Sequence, residues 1–345
     1  MSSSEISAAR RMVRTLRAGV VDPDSARRTS VGTAAVQADF ALALDCFISG
    51  RHPGPLVFEG AWGAGKTHLA MLLRGELDGR GIPWIQTAID GKASSLSHLN
   101  RSVVGWLEGV RVGPVRGLRN AIERGLLSSK DTLEWSRTKS AMFPRGLWLA
   151  LENGSITGWL MALGHLVAMP DYPYQHAKAL ELLLDAADYF KDVGRRGVLV
   201  LLLDELENVV REYDIRGRRR AYGALYRIAN CGSLLPIFFV TSGFVNQCSQ
   251  DHQRAVREGW EHWLPESRRF LDDMGALKRV HVPALEAKDT IELVGKLVDL
   301  HRLAYGRSPR SLEPDRILKN WNSTITRSTR LLVRSVIQYL DSEVD

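Results

Sequence analysis

The chain has 345 residues, 45% hydrophobic and 25% charged, a globular balance with enough length for one to three domains. No apolar run reaches the roughly 18–20 residues of a membrane helix, the polar start has no signal-peptide core, and the three scattered cysteines, Cys46, Cys231 and Cys248, have no C-x-x-C spacing. A transmembrane protein, a disulfide scaffold and a zinc module are therefore not indicated, and a reduced, cytoplasmic protein is expected; the net charge of +7 is compatible with a polyanionic partner.

Residues 1–35 are rich in Ser and Arg. Ala9, Met12, Val13 and Leu16 recur at helical spacing, and Gly19 ends the pattern. Arg10, Arg14 and Arg17 fall on the other face, which reads as a solvated face, a nucleic-acid contact or a subunit contact. A second helix is expected over 34–48.

An apolar run, Pro55-Leu56-Val57-Phe58, then leads into Gly60-Ala61-Trp62-Gly63-Ala64-Gly65-Lys66-Thr67-His68. This fits G-x-x-x-x-G-K-[ST], and the apolar-periodic residues 69–73 follow as a helix, the strand–loop–helix context the motif requires. Gly60, Gly63 and Gly65 permit a curled backbone whose N–H groups point at a polyphosphate. The helix start adds the positive end of its dipole. Lys66 would reach the β- and γ-phosphates, and Thr67 would place its hydroxyl on Mg²⁺. Residues 82–90 read as the next strand, which makes a βαβ unit with a parallel sheet.

Residues 91–197 read as a mostly helical insertion, with amphipathic stretches over 99–110, 117–127, 132–151 and 177–189 and a core helix over 156–169. Trp106, Trp135, Trp148 and Trp159 lie here, as core residues or as stacking platforms. Val198 to Leu203 is a continuous apolar run ending in Asp204-Glu205, the pattern of a central parallel strand. Acids at its C-terminal end lie where open α/β sheets bind ligands. Asp204 would hold the metal's water shell, and Glu205 would orient or deprotonate the attacking water. Glu207 reads as a further acid or a surface pair.

Arg216 and Arg218 to Arg220 form a basic cluster, a solvated helix end or a polyanion or subunit contact. Residues 234–243 read as another buried strand; Thr241, or Ser242, at its end could sense the γ-phosphate or cap the turn. A helical segment is expected over 253–274 and a last strand over 279–283. From 286 the chain turns helical, with Pro309 and Pro314 as punctuation and Arg327, Arg330 and Arg334 on the final helix. The strands number five: near 56, 85, 200, 238 and 281.

The phosphate loop, the Asp204-Glu205 pair, the polar end of the fourth strand, an arginine-bearing helix before the fifth and a helical C-terminus resemble an AAA+ ATPase of the initiator-like branch. A narrower resemblance is to the ATP-binding proteins of BREX phage-defence systems. It is carried by residues 9–20, by Leu203-Asp204-Glu205-Leu206-Glu207 and by residues 328–337; Val21 stands where that pattern has a Pro. The resemblance implies an α/β P-loop NTPase fold: a five-stranded parallel sheet, a helical insertion and a C-terminal helical lid. The implied division is 1–35 (basic helical segment), 36–285 (core) and 286–345 (lid). It implies that Arg269, or Arg268, is a finger reaching the γ-phosphate of a neighbouring subunit, and that Arg330 touches nucleotide in its own subunit. It also implies ATP and Mg²⁺, a homo-oligomer, partner proteins of a defence complex and action on double-stranded DNA. A nucleotide-gated DNA-binding module with little hydrolysis, and a transposition or replication helper ATPase, are the alternatives.

Overall fold

The computed structural model describes residues 2–88, 110–112, 115–124, 127–138, 175–193, 197–211, 215–306 and 328–342. The expected helix over 156–169, all but residue 110 of the one expected over 99–110, and residues 139–151 of the one expected over 132–151 lie outside these, as do Trp106, Trp148, Trp159, Pro309, Pro314 and Arg327. Contacts divide the chain into two units: Met1–Phe40 with Glu59–Gly75 and Val280–Asp345, and Ala41–Phe58 with Glu76–Arg279.

The larger unit is built on a sheet. Its strands are β1 (Leu56–Glu59), β2 (Trp84–Ala88), β3 (Arg111–Val112), β4 (Val115–Arg116), β5 (Leu199–Asp204) and β6 (Leu234–Val240), in the order β4-β3-β2-β5-β6-β1. β2, β5 and β6 run parallel, with Ala88 opposite Asp204 and Leu203 opposite Phe238. Every residue of β5 and β6 is buried, as a strand covered on both faces requires. Phe58 of β1 stacks on Phe239 of β6 with ring centroids 5.5 Å apart. The β3–β4 hairpin adds an antiparallel edge within a stretch that reads in the sequence as mostly helical. Strands two residues long carry too little periodicity to register.

Helix α3 (Ala34–Ile48) precedes β1, and α4 (Lys66–Arg80) follows the phosphate loop; each has residues in both units. The described part of the insertion holds α5 (Leu118–Glu123), α6 (Ser129–Thr138) and α7 (Gln175–Asp192). Trp135 is core: it is buried, packs edge-on to Tyr189 and donates its indole N–H to Asp192 at 2.9 Å. α8 (Glu207–Val210) follows β5, and α9 (Ile215–Ala229) leads to β6.

The helix expected over 253–274 is two helices, α10 (Ser242–Glu258) and α11 (Pro265–Ala276). Gly259, at φ +83°, ends the first, and Pro265 starts the second, since proline lacks the N–H of a helix interior but suits a first turn.

The smaller unit is mainly helical. α1 (Ser3–Arg17), α12 (Ala287–Tyr305) and α13 (Thr329–Ser342) share one core, in which Ala9, Met12, Val13 and Leu16 meet Leu293, Leu297, Leu300, Leu332, Val336 and Ile337. The N-terminal apolar stripe is thus buried against the C-terminal helices. α2 (Pro23–Thr29) starts at Asp22, whose carboxylate caps Asp24 and Ser25. β7 (Arg279–His281) lies beside the end of β1: the Val282 N–H donates to the Glu59 carbonyl at 2.8 Å.

Candidate nucleotide site

Two sets of residues carry the candidate chemistry, each held inside its own unit. In the smaller unit the chain turns at Gly60 to Gly65 between β1 and α4. Gly63 and Gly65 adopt φ +78° and +95°, a conformation that only glycine visits without penalty. A side chain on Gly60 would meet Val282 at 3.1 Å. One on Gly63 would meet the Ser328 side chain at 2.7–3.0 Å, and the Gly63 carbonyl accepts the Thr329 N–H at 3.3 Å. The start of α13 therefore sits on the loop. Arg330, in that first turn, is exposed, and its aliphatic stem lies over Gly19 at the end of α1.

Lys66 is buried, and its ammonium donates to the carbonyls of Gly60 and Ala61 at 2.9 and 3.1 Å. The loop's own acceptors thus hold the cation at the helix start. Ala64 donates its N–H to Ala61, Thr67 is half-buried, and Trp62 is 64% exposed. Burial pushes the His68 imidazole down to about 4, so it is neutral at physiological pH. Left-handed glycines, a helix start, a fixed ammonium and a hydroxyl form a donor set that fits a metal-bound polyphosphate.

In the larger unit, Asp204 is buried at the end of β5 and its Oδ1 accepts the Glu205 N–H at 2.9 Å. Glu205 is exposed, and its Oε2 accepts the Asn208 side-chain amide at 3.2 Å. Thr241 ends the adjacent parallel strand, so it and Asp204 share the C-terminal edge of the sheet. Its hydroxyl accepts the Phe244 N–H at 3.4 Å and caps α10; Ser242 is the exposed first residue of that helix.

Arg269 is exposed on α11 and donates to the Tyr226 hydroxyl on α9 at 3.4 Å. Arg268 stacks on Trp260 instead, 5.0 Å from the ring centroid. The opposite, buried face of α11 is fixed to α9: Phe270 stacks on Tyr222, and Ser267 donates to the Arg219 carbonyl.

The arginine runs are used mostly inside the chain. Arg218 makes a bidentate pair with Asp251 at 2.9 and 3.1 Å, both nearly buried, and Tyr222 donates to the same carboxylate. Arg219 lies 4.6 Å over the Trp263 ring. Arg10 donates to the Ala304 carbonyl, and Arg17 pairs with Asp341 at 2.7 Å. Arg218 and Arg219 are thus drawn into the packing of their unit, while Arg10 and Arg17 remain exposed beside their partners. Ser328, Thr329, Asn208 and Tyr226 were not legible as site neighbours from the sequence, although Ser before a helix start and Asn three residues after an acid are signals of local turn bonding.

Residues 173–342 match the family model described as BREX system ATP-binding protein BrxC/D. The resemblance to BREX ATP-binding proteins holds over that span, which contains Asp204, Glu205, Thr241, Arg269 and Arg330. A solved structure, the Walker-type ATPase PABY2304 of Pyrococcus abyssi, is similar at 11% identity and a TM-score of 0.45, over 90% of this chain and 68% of that one. A comparison with curated proteins finds no match. Among the described residues, no group of three or more His, Cys, Asp or Glu is arranged to hold a metal ion, and no helix is long and apolar enough to cross a membrane.

Proposed function

We propose that this chain, a BREX-type ATP-binding protein over residues 173–342, hydrolyses ATP and works as a motor or switch in a phage-defence complex. The observation that carries the reading is the loop itself. Two left-handed glycines turn the backbone into a helix start where Lys66 is pinned on loop carbonyls. Backbone N–H groups from this loop would hold the phosphates, with Gly60 to Gly65 as the cradle and Lys66 moving from the loop carbonyls to the β- and γ-phosphates. Thr67 and Asp204 would hold Mg²⁺, which when bound neutralises charge on the phosphate oxygens. Glu205 would accept a proton from the attacking water.

Thr241 has one role in hand, capping α10, and a sensor role would use its hydroxyl as a donor. Arg269 would act on the nucleotide of a neighbouring copy and Arg330 on that of its own chain, each stabilising negative charge as it develops. The remaining proposals are a homo-oligomer, partner proteins of the defence complex, a cytoplasmic location and double-stranded DNA as the polyanion. The DNA proposal rests on the net charge and on exposed arginines such as Arg220 and Arg257, since Arg10, Arg17, Arg218 and Arg219 are engaged within the chain.

The test is ATP turnover by the wild type, Lys66→Ala and Glu205→Gln, with nucleotide binding measured in parallel. Lys66→Ala is expected to lose binding. Glu205→Gln is expected to bind ATP and to lose turnover by about 100-fold or more, the scale of a positioned base. Wild-type protein that binds ATP without turnover, with or without duplex DNA, would make it a nucleotide-gated binding module instead.

A further inference from the structure

The turn after β5 holds its acidic residue by more than its own backbone. Glu205 has φ +57°, the one left-handed non-glycine residue among the described residues. Its N–H is bound by Asp204 Oδ1, its carbonyl accepts the Asn208 N–H at 3.0 Å, and its Oε2 accepts Asn208 Nδ2 at 3.2 Å. One residue thus grips both the backbone and the carboxylate of Glu205. Asn208 can do so because it is buried, 7% exposed, on the short α8, while Glu205 is exposed. The amide donates without adding charge, so it orients the carboxylate without neutralising it.

We propose that Asn208 is the positioning residue for Glu205, fixing one carboxylate oxygen so that the other meets the water that attacks ATP. This rests on the reading of Glu205 as the base. The proton of the water passes to Oε1 of Glu205. The water oxygen bonds to the γ-phosphorus, and the bond from that phosphorus to the β-bridging oxygen breaks, leaving ADP and phosphate. Oε2 stays on the amide of Asn208 throughout. A carboxylate free to rotate would spend much of its time aimed elsewhere, and misaimed groups lose much of the advantage of proximity.

The experiment measures kcat, KM and ATP affinity for Asn208→Ala, Asn208→Asp, Glu205→Gln and Asn208→Ala/Glu205→Gln, with melting curves for each. Asn208→Ala is expected to lower kcat about tenfold or more while ATP affinity stays within about twofold. Asn208→Asp keeps the shape of the side chain but exchanges the donor for an acceptor, and it is expected to lose at least as much. In the Glu205→Gln background, Asn208→Ala is expected to change the residual rate less than about twofold, because the group it positions is gone. Wild-type kcat in Asn208→Asp, or an equal loss from Asn208→Ala in both backgrounds, would overturn the proposal. If Asn208→Ala does not fold, Asn208→Asp decides alone. Undiminished turnover in Glu205→Gln would instead overturn the base reading, a different result from either.

Discussion

The phosphate loop and the turn after β5 both need a left-handed backbone, and they meet the need in opposite ways. In the loop the positive φ angles fall on Gly63 and Gly65; in the turn the angle falls on Glu205. An L-residue with a side chain is disfavoured there by roughly 1–2 kcal/mol. In the proposed chemistry the loop works through backbone N–H groups, so a side chain adds nothing at those positions, and at Gly63 Ser328 occupies the space one would fill. In the same proposed chemistry the turn would work through a carboxylate, so glycine would remove the working group. The chain accepts local strain where the chemistry needs a side chain and avoids it where the chemistry needs only backbone.

The largest effect expected from this contrast is at Gly63. In Gly63→Ala the new methyl would sit in a left-handed residue and within 2.7–3.0 Å of the Ser328 side chain. Left-handed strain and overpacking together are expected to destabilise by about 3 kcal/mol, and displacement of α13 is expected to weaken ATP binding at least tenfold. Chemical denaturation and titration with a fluorescent ATP analogue measure the two. Unchanged stability with unchanged binding would mean that Ser328 moves aside freely and that loop and helix are not coupled.

The next effect concerns the charge the loop tolerates. His68 lies one turn from Gly65 and is held down to about 4 by desolvation, against an ordinary value near 6.5. A depressed folded value means that the unfolded chain binds the proton more tightly. The stabilising contribution is therefore fully present above about pH 6.5 and is lost as pH falls toward 4. Between pH 7 and pH 5 the loss is about 2 kcal/mol for this one group. His68→Gln should flatten the stability–pH curve by that amount relative to the wild type. Parallel curves for the two proteins over that range would assign the acid sensitivity elsewhere.

The same contrast marks what was legible in the sequence. The loop was readable because its glycines, lysine and threonine occur at fixed spacing between an apolar run and a helical pattern. β5 was readable because a strand buried on both faces must be apolar throughout. Periodicity also found the apolar stripe of α1 but not what covers it, since Arg10 finds its carbonyl 294 residues away on α12. For the same reason Arg218 and Arg269 looked alike, each an arginine on an amphipathic helix. Only tertiary packing separates them: Asp251 and Tyr222 take Arg218 into the interior, while Arg269 stays on the surface with Tyr226. The grip of Asn208 on Glu205 is local in sequence, yet it depends on a left-handed residue that nothing about a glutamate announces.

The smallest predicted effect separates backbone from side chain at that residue. Glu205→Ala and Glu205→Gly both delete the carboxylate and its bond to Asn208, so both should lose turnover alike. They differ in the Cβ that a left-handed residue resists. Alanine keeps it; glycine removes it but adds back conformational freedom in the unfolded chain, worth roughly 0.5–1 kcal/mol against it. With strain of roughly 1–2 kcal/mol, the glycine variant should be the more stable of the pair by up to about 1.5 kcal/mol, read from chemical denaturation. The same comparison at position 63 should have the same sign and a larger size, because there Ser328 fills the space that the alanine methyl would take. A glycine variant at 205 no more stable than the alanine variant would mean that the turn holds no strain for the carboxylate to impose. The fixed geometry of Glu205 would then rest on its hydrogen bonds to Asp204 and Asn208 alone.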